Sequence, residues 1–223
     1  MRESVADALA EAVDAGRTFG SGENAVVALA HATCRIAPGD RIALVGPSGS
    51  GKSTLLHLLA GLDEPTAGIV RWPALGDSPT LRPRLVSFVF QSQSLIAPLS
   101  VIENVEMPLL LLGSDARSAR ESAARVLATM ELTSLAEKLP EEISGGQAQR
   151  IAVARSVVSA PRLLLADEPT GQLDHANASH LLDLLLASLS PDAALVIATH
   201  DMAAAERMNT RWLMNHGVLE GAA

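Results

Sequence analysis

The chain has 223 residues, with 17 Lys and Arg against 25 Asp and Glu, a formal net charge of −8 and 48% hydrophobic residues. The hydrophobic content excludes a disordered chain, and a dedicated nucleic-acid binder would carry a basic footprint that this balance lacks. Aromatic residues make up 2% with no Tyr, so the core must come from Leu, Val, Ile and Ala; the single Cys34 rules out an internal disulfide and reads as a small core residue in a reducing compartment.

Residues 1–16 carry Arg2, Glu3, Asp7, Glu11 and Asp14, too much charge for the apolar region of a signal peptide. Residues 6–15 have helical propensity yet fit an edge strand equally well. The apolar run Arg41-Ile-Ala-Leu-Val45 opens into a Gly- and Ser-rich loop and predicts a buried parallel strand. Leu55, Leu58, Leu59 and Leu62 then share one face of a helix, which Gly61 weakens and Pro65 stops. Residues 86–90 predict a second strand. From about 92 to 145 the pattern gives helices and no convincing strand, so this stretch reads as a helical insertion. Within it, residues 115–130 form a helix capped near Ser114. A further helix covers 148–158. Strands at 163–165 and 195–197 flank a helix at 179–189, and residues 212–219 read as a hairpin turning at 215–217. Strands alternating with helices imply a parallel α/β sheet in one domain, 1–223. The best apolar run, 107–112, is far below the ~18 residues needed to span a bilayer, so the chain is expected to be soluble or peripheral, with any membrane role supplied by a spanning partner.

The first motif with chemistry is Gly46-Pro-Ser-Gly-Ser-Gly-Lys-Ser53. It matches G-x-x-x-x-G-K-[ST] between a strand and a helix, the setting that separates a phosphate loop from a chance Gly/Ser turn. Glycines let the backbone wrap a phosphate, and the amides of Gly49 to Thr54 face the anion at the positive end of the helix dipole. Lys52 adds a charge near the β and γ phosphates, and Ser53 offers a hydroxyl to Mg²⁺. A nucleotidase of this kind needs a second strand ending in a carboxylate. Leu163-Leu-Leu-Ala-Asp167-Glu168 supplies it, Asp167 holding the metal through water and Glu168 polarising the attacking water as general base. Asp174 reads equally well as a plain helix N-cap.

The segment Ile143-Ser-Gly-Gly-Gln-Ala-Gln-Arg150 builds a second helix start with free amides and a hydroxyl, another anion site. One nucleotide already uses the first, so the second suits a nucleotide on another copy, as in a two-fold dimer. This run resembles the signature of ABC-type ATPases, and other segments follow in the family's order from about Val13 to Leu219. The resemblance implies a P-loop NTPase core with a parallel sheet, an N-terminal antiparallel β subdomain and an inserted helical subdomain near 92–145. It implies that ATP is held by Gly46, Pro47, Ser48, Gly49, Ser50, Gly51, Lys52, Ser53 and Thr54, and by Ser144, Gly145, Gly146 and Gln147 of a second copy. Gln91 looks like the glutamine that contacts Mg²⁺ and the catalytic water. His200 looks like the switch histidine at the γ-phosphate, and Gln172-Leu-Asp174 resembles the D-loop. Phe19 stands where an aromatic residue stacks on adenine, although a plain core role suits a Phe too. Catalytic residues on this reading are Glu168, His200, Gln91 and Lys52; Ser53, Gln91 and Asp167 serve the metal.

Three further runs resemble the ATPases of the lipoprotein-releasing and macrolide-exporter type: Gly61-Leu-Asp-Glu-Pro-Thr-Ala-Gly68, Glu103-Asn-Val-Glu-Met-Pro-Leu109 and Asp167-Glu-Pro-Thr-Gly-Gln-Leu-Asp174. That implies an integral membrane permease as partner, homodimerisation on ATP binding, no nucleic acid, and a peripheral place on the cytoplasmic face of the membrane. The alternative is an ABC-type ATPase driving a non-transport mechanical or regulatory membrane partner. A soluble ABC protein of DNA repair or translation would show tandem cassettes or coiled coils, and a small-molecule kinase would not need the Ser144 site. Two departures stand out. Gly68 to Gln91 spans 23 residues, short enough to have lost a strand pair. Pro98 after Ala97 shifts the proline that normally follows the leucines beyond Gln91.

Overall fold

Among the described residues, nine strands form one mixed sheet in the order β4-β1-β2-β9-β8-β3-β7-β6-β5. The strands are β1 (Ala10–Phe19), β2 (Val26–Ile36), β3 (Arg41–Val45), β4 (Ala67–Arg71), β5 (Val86–Val89), β6 (Leu163–Asp167), β7 (Ala194–Thr199), β8 (Thr210–Asn215) and β9 (Val218–Glu220). The helices are α1 (Lys52–Leu59), α2 (Val101–Leu111), α3 (Ala116–Thr129), α4 (Gly145–Val157), α5 (His175–Ser188) and α6 (Met202–Glu206). This computed structural model describes residues 8–76, 84–92 and 95–222. Among them no helix is long and apolar enough to cross a membrane.

The expected parallel sheet is half of the whole. β8, β3, β7, β6 and β5 run parallel; β3, β6 and β7 are short apolar runs buried on both faces, whereas β8 buries only Trp212 and Met214. β1 pairs antiparallel with both β2 and β4, forming the other half. From Ala10 on, the ambiguous N-terminal stretch is a strand, and it lies between β4 and β2 rather than at an edge: Ala10, Ala12 and Ala15 are buried while Glu11 and Asp14 keep contact with solvent. Alternation also divides the interior. Along β7, Ala194, Val196 and Ala198 join one apolar cluster with α1 and the antiparallel strands; Leu195 and Ile197 join the other with α2 to α5. Cys34 sits in the first cluster, as expected for a small core residue.

Several boundaries differ from the sequence reading, each for a local reason. α1 stops at Leu59 because Gly61, at φ 61°, adopts the left-handed conformation; Leu62 N–H closes onto His57 C=O at 2.9 Å and Gly61 N–H onto Leu58 C=O at 3.0 Å. Leu62 thus lies beyond the helix and is 36% exposed, off the buried face assigned to it. α3 is capped by Asp115 rather than Ser114, its carboxylate accepting from Ser118 N–H at 3.0 Å. α4 begins three residues earlier than its apolar face, at Gly145. α5 begins at His175 because Asp174 caps it, accepting from Asn177 N–H at 2.9 Å. β5 ends at Val89, leaving Phe90 outside the strand. The 215–217 hairpin forms as expected, with His216 (φ 45°) and Gly217 (φ 77°) supplying the two left-handed residues of the turn. Part of the stretch expected to lack a strand pair, 77–83, lies outside the described residues.

Candidate functional site

The loop between β3 and α1 is shaped by contacts that only glycine tolerates. A Cβ on Gly46 would stand 2.1 Å from Met214 C=O. One on Gly51, which also has φ 106°, would stand 2.6 Å from Ala28 C=O. Ser50 C=O accepts from Gly217 N–H at 2.9 Å, so the β8–β9 hairpin braces the loop from behind. Lys52 folds back over it, its buried Nζ donating to Gly46 C=O at 2.8 Å and Pro47 C=O at 3.0 Å. The ammonium is thereby fixed above the ring of backbone amides that opens α1.

Asp167 and Glu168 come from the C-terminal end of β6, and His200 from the end of the adjacent β7; Asp167 pairs in register with Ala198. Burial pushes the Asp167 carboxyl above its ordinary range, offset only in part by a hydrogen bond to Ser53. Glu168 has φ 48°, held by its N–H donating to Ala198 C=O at 2.9 Å and by Gly171 N–H donating to its own C=O at 3.1 Å. Its Oε1 lies 2.9 Å from His200 Nδ1. Against an ionised carboxylate, Nδ1 must carry the proton, which leaves Nε2 as the ring's free nitrogen.

These groups surround one cavity of about 600 Å³, lined by Val26 to Ala28, Ser48 to Thr54, Gln91, Asp167, Glu168 and His200. That volume suits a nucleotide-sized ligand. Three buried oxygens on this side, Asp167 Oδ1, Glu168 Oε2 and Ser50 Oγ, have no protein partner. Buried polar atoms without partners mark where a ligand, ion or water is accommodated. A hard cation shared with phosphate oxygens fits Ser53 and Asp167; among the described residues no cluster of three His, Cys, Asp or Glu could hold a metal by protein ligands alone.

The structure thus gathers Lys52, Ser53, Gln91, Asp167, Glu168 and His200 in one place, with the whole loop from Ser48 to Thr54. It leaves others outside. Ser144 caps α4 in a reciprocal box: Gln147 N–H donates to Ser144 Oγ at 3.3 Å and Ser144 N–H to Gln147 Oε1 at 2.9 Å. Ser144 to Gln147 do not line this cavity, and a Cβ on Gly146 would press to 2.8 Å from Leu173 in the loop before α5. Phe19 is not among the lining residues either, yet it pairs in register with Val26, which is.

Sequence reasoning missed the exposed Val26 and Val27, which form the cavity's apolar wall. It also missed Asn104. This fully buried side chain clamps the loop beyond Gln91, its amide donating to the carbonyls of Ile96 (3.1 Å), Leu99 (3.0 Å) and Ser100 (3.1 Å) and its Oδ1 accepting from Ile96 N–H at 2.7 Å. The run Glu103 to Leu109 contains it without giving it a role; its signal is a polar side chain on the stripe that buries Val101, Ile102, Val105 and Pro108.

A phosphate-binding loop, an acidic strand end and a histidine on the neighbouring strand define a P-loop ATPase. The ABC transporter family model matches residues 29–171, and the chain belongs to that family. It is 42% identical over 211 residues to the lipoprotein-releasing system ATP-binding protein LolD of Legionella pneumophila strain Paris, covering 91% of this chain and 93% of the relative. Against the LolD of Pseudomonas fluorescens the identity is 42% over 205 residues, covering 88% and 90%. Among solved structures, the ATP-binding cassette MJ0796, a dimer in a post-hydrolysis state bound to ADP and Pi, superposes with a TM-score of 0.85 at 31% identity, covering 96% of this chain and 99% of that one. A second dimeric structure of the same bacterial ABC transporter cassette gives a TM-score of 0.86 at 32% identity. The chain is an ATP-binding, ATP-hydrolysing ABC transporter subunit, homologous to the ATP-binding proteins of lipoprotein-releasing systems.

Proposed function

We propose that this chain powers an envelope transporter of the lipoprotein-releasing type, working as a nucleotide-closed pair on the cytoplasmic face of a membrane-spanning permease. The observation that carries this reading is the buried, unpartnered Glu168 Oε2, on a residue that lines the same cavity as Asp167 and Lys52. A carboxylate oxygen with no protein partner at that place has its acceptor capacity left for a water. The dimeric arrangement of the solved cassettes and the LolD relatives support the pairing and the transport role.

On this reading the amides of Gly46 to Thr54, with Pro47 and Ser48 shaping the loop, cradle the triphosphate, and Lys52 neutralises charge spreading over the transferring phosphoryl group. Ser53, Asp167 and Gln91 hold Mg²⁺, which supplies further charge neutralisation when bound. Glu168 orients the attacking water in line, and His200 holds Glu168 in place through Nδ1. Ser144, Gly145, Gly146 and Gln147 face the γ-phosphate of the other copy, since within one chain they stand apart from the cavity. Phe19 receives the adenine. Residues near 92–145 form the helical subdomain that meets the permease. Hydrolysis removes the phosphate bridging the two chains and releases them, a population shift that moves the permease.

The experiment is Glu168→Gln. ATP turnover should fall by at least a hundredfold, within the range general-base catalysis supplies, and size-exclusion chromatography with ATP should show a two-chain species that wild type forms only transiently. Turnover within twofold of wild type would remove Glu168 as the base and the reading with it.

A further inference from the structure

The run from Gly61 to Gly68 carries no part of the chemistry above, yet it grips the end of β1. Asp63 binds the Arg17 guanidinium with both oxygens, Nε to Oδ2 at 2.8 Å and Nη2 to Oδ1 at 2.7 Å. Three-quarters of each side chain is withdrawn from solvent, and the parallel, two-pronged contact fixes the plane of the guanidinium. Two residues further on, on the same side of the strand, the Phe19 ring lies beneath that plane, 4.6 Å from Arg17 Cζ to the ring centroid. Thr66 completes the grip: its N–H donates to Gly16 C=O at 2.8 Å, and its Oγ1 accepts from Thr18 N–H at 3.0 Å. The segment that does this leaves the C-terminal end of α1, the helix that carries the phosphate loop.

We propose that Arg17 and Asp63 are positioning residues for the base of the nucleotide. They act through Phe19, and the inference rests on Phe19 receiving the adenine. Phe19 is 44% exposed and has no hydroxyl with which to anchor its own ring. Arg17 occupies one face, so the base meets the remaining open surface, beside the Val26 that pairs with Phe19 across the strands and lines the cavity. The guanidinium draws ring electron density to its own side and stops the ring from turning. The Asp63 clamp ties that platform to α1, so the distance between base site and phosphate cradle is set by one rigid connection. Selectivity for a base over a bare triphosphate follows from this stack.

The test measures Mg²⁺-dependent binding of ATP and of inorganic tripolyphosphate by calorimetry. It uses the full chain and its Arg17→Met, Asp63→Asn and Phe19→Ala variants. Arg17→Met keeps an apolar stem over the ring and removes the cation. Arg17→Met and Asp63→Asn should each weaken ATP about three- to fivefold, the size of a partly exposed cation–π contact, while tripolyphosphate binding stays within a factor of 1.5. Because the two residues act as a unit, the double variant should be no weaker than Arg17→Met alone. Equal weakening of ATP and tripolyphosphate makes the pair a general brace of the fold and overturns the proposal. So does unchanged ATP binding in both variants while Phe19→Ala weakens it, a result that leaves the role of Phe19 standing. If Phe19→Ala binds ATP as wild type does, the base site lies elsewhere and both ideas fall together.

Discussion

Replacing Asn104 with Ala tests whether the loop beyond Gln91 is held by one side chain. Of the four backbone groups that Asn104 satisfies, two have other partners: Ile96 C=O also accepts from Leu99 N–H at 3.0 Å, and Ser100 C=O from Asn104 N–H at 2.9 Å. The Ile96 N–H and the Leu99 C=O are the ones left bare. At about 1–3 kcal/mol for each buried group without a partner, and with partial relief from entering water, the loss comes to about 2–4 kcal/mol. For a chain of this length that corresponds to a melting temperature lowered by roughly 5–15 °C. Urea denaturation followed by circular dichroism gives the free energy, and hydrogen exchange shows whether residues 95–100 lose protection ahead of the strands. A destabilisation below about 0.5 kcal/mol, the range of an ordinary surface change, would refute the reasoning.

Asp167→Asn removes a carboxylate whose burial raises its pKa. The ionised form penalises the native state fully above the raised folded value and not at all below the unfolded one. The nucleotide-free variant should therefore melt above wild type at pH 8, the gap closing as pH falls, while Mg²⁺-ATP hydrolysis is lost; a variant less stable at every pH would contradict this. Glu103 caps α2, and its hydrogen bonds from Ser100 hold its pKa below the usual range, so its contribution is present at neutral pH and fades as acid protonates it. Glu103→Ala should unfold at lower temperature than wild type at pH 7 and match it in strong acid, readable by scanning fluorimetry across pH. Cys34, buried and with its thiol pushed up to about 12, should resist a thiol reagent such as dithionitrobenzoate in the native state and react once per chain in guanidinium; fast native labelling would show that β2 opens.

The parallel half of the sheet and the catalytic cluster were legible in the sequence for the same physical reason. A strand buried on both faces is a continuous apolar run, and the phosphate loop, Asp167 and Glu168 each follow such a run directly. β1 was ambiguous because its buried residues are mostly Ala, which carries no β-branched signature; cross-strand pairing with β2 and β4 decides it, and β4 lies some fifty positions away. The apolar faces of α4 and α5 begin later than the helices themselves, but the caps mark the true starts: Ser144, read as a helix start, and Asp174, read as one of two things, both fix the first turn through side-chain contacts to the backbone. The Arg17–Asp63 pair was illegible, since 46 positions separate its members and nothing local links a strand arginine to a post-helix aspartate.

Asp167, Glu168, His200 and the phosphate loop all issue from the same edge of three adjoining strands, β6, β7 and β3. Apolar side chains press on those strands from above and below, so the reacting groups are anchored to the stiffest plank in the molecule. The spacing between carboxylate, imidazole and ammonium is therefore set by this one buried plank and not by the helices or the antiparallel wing to either side.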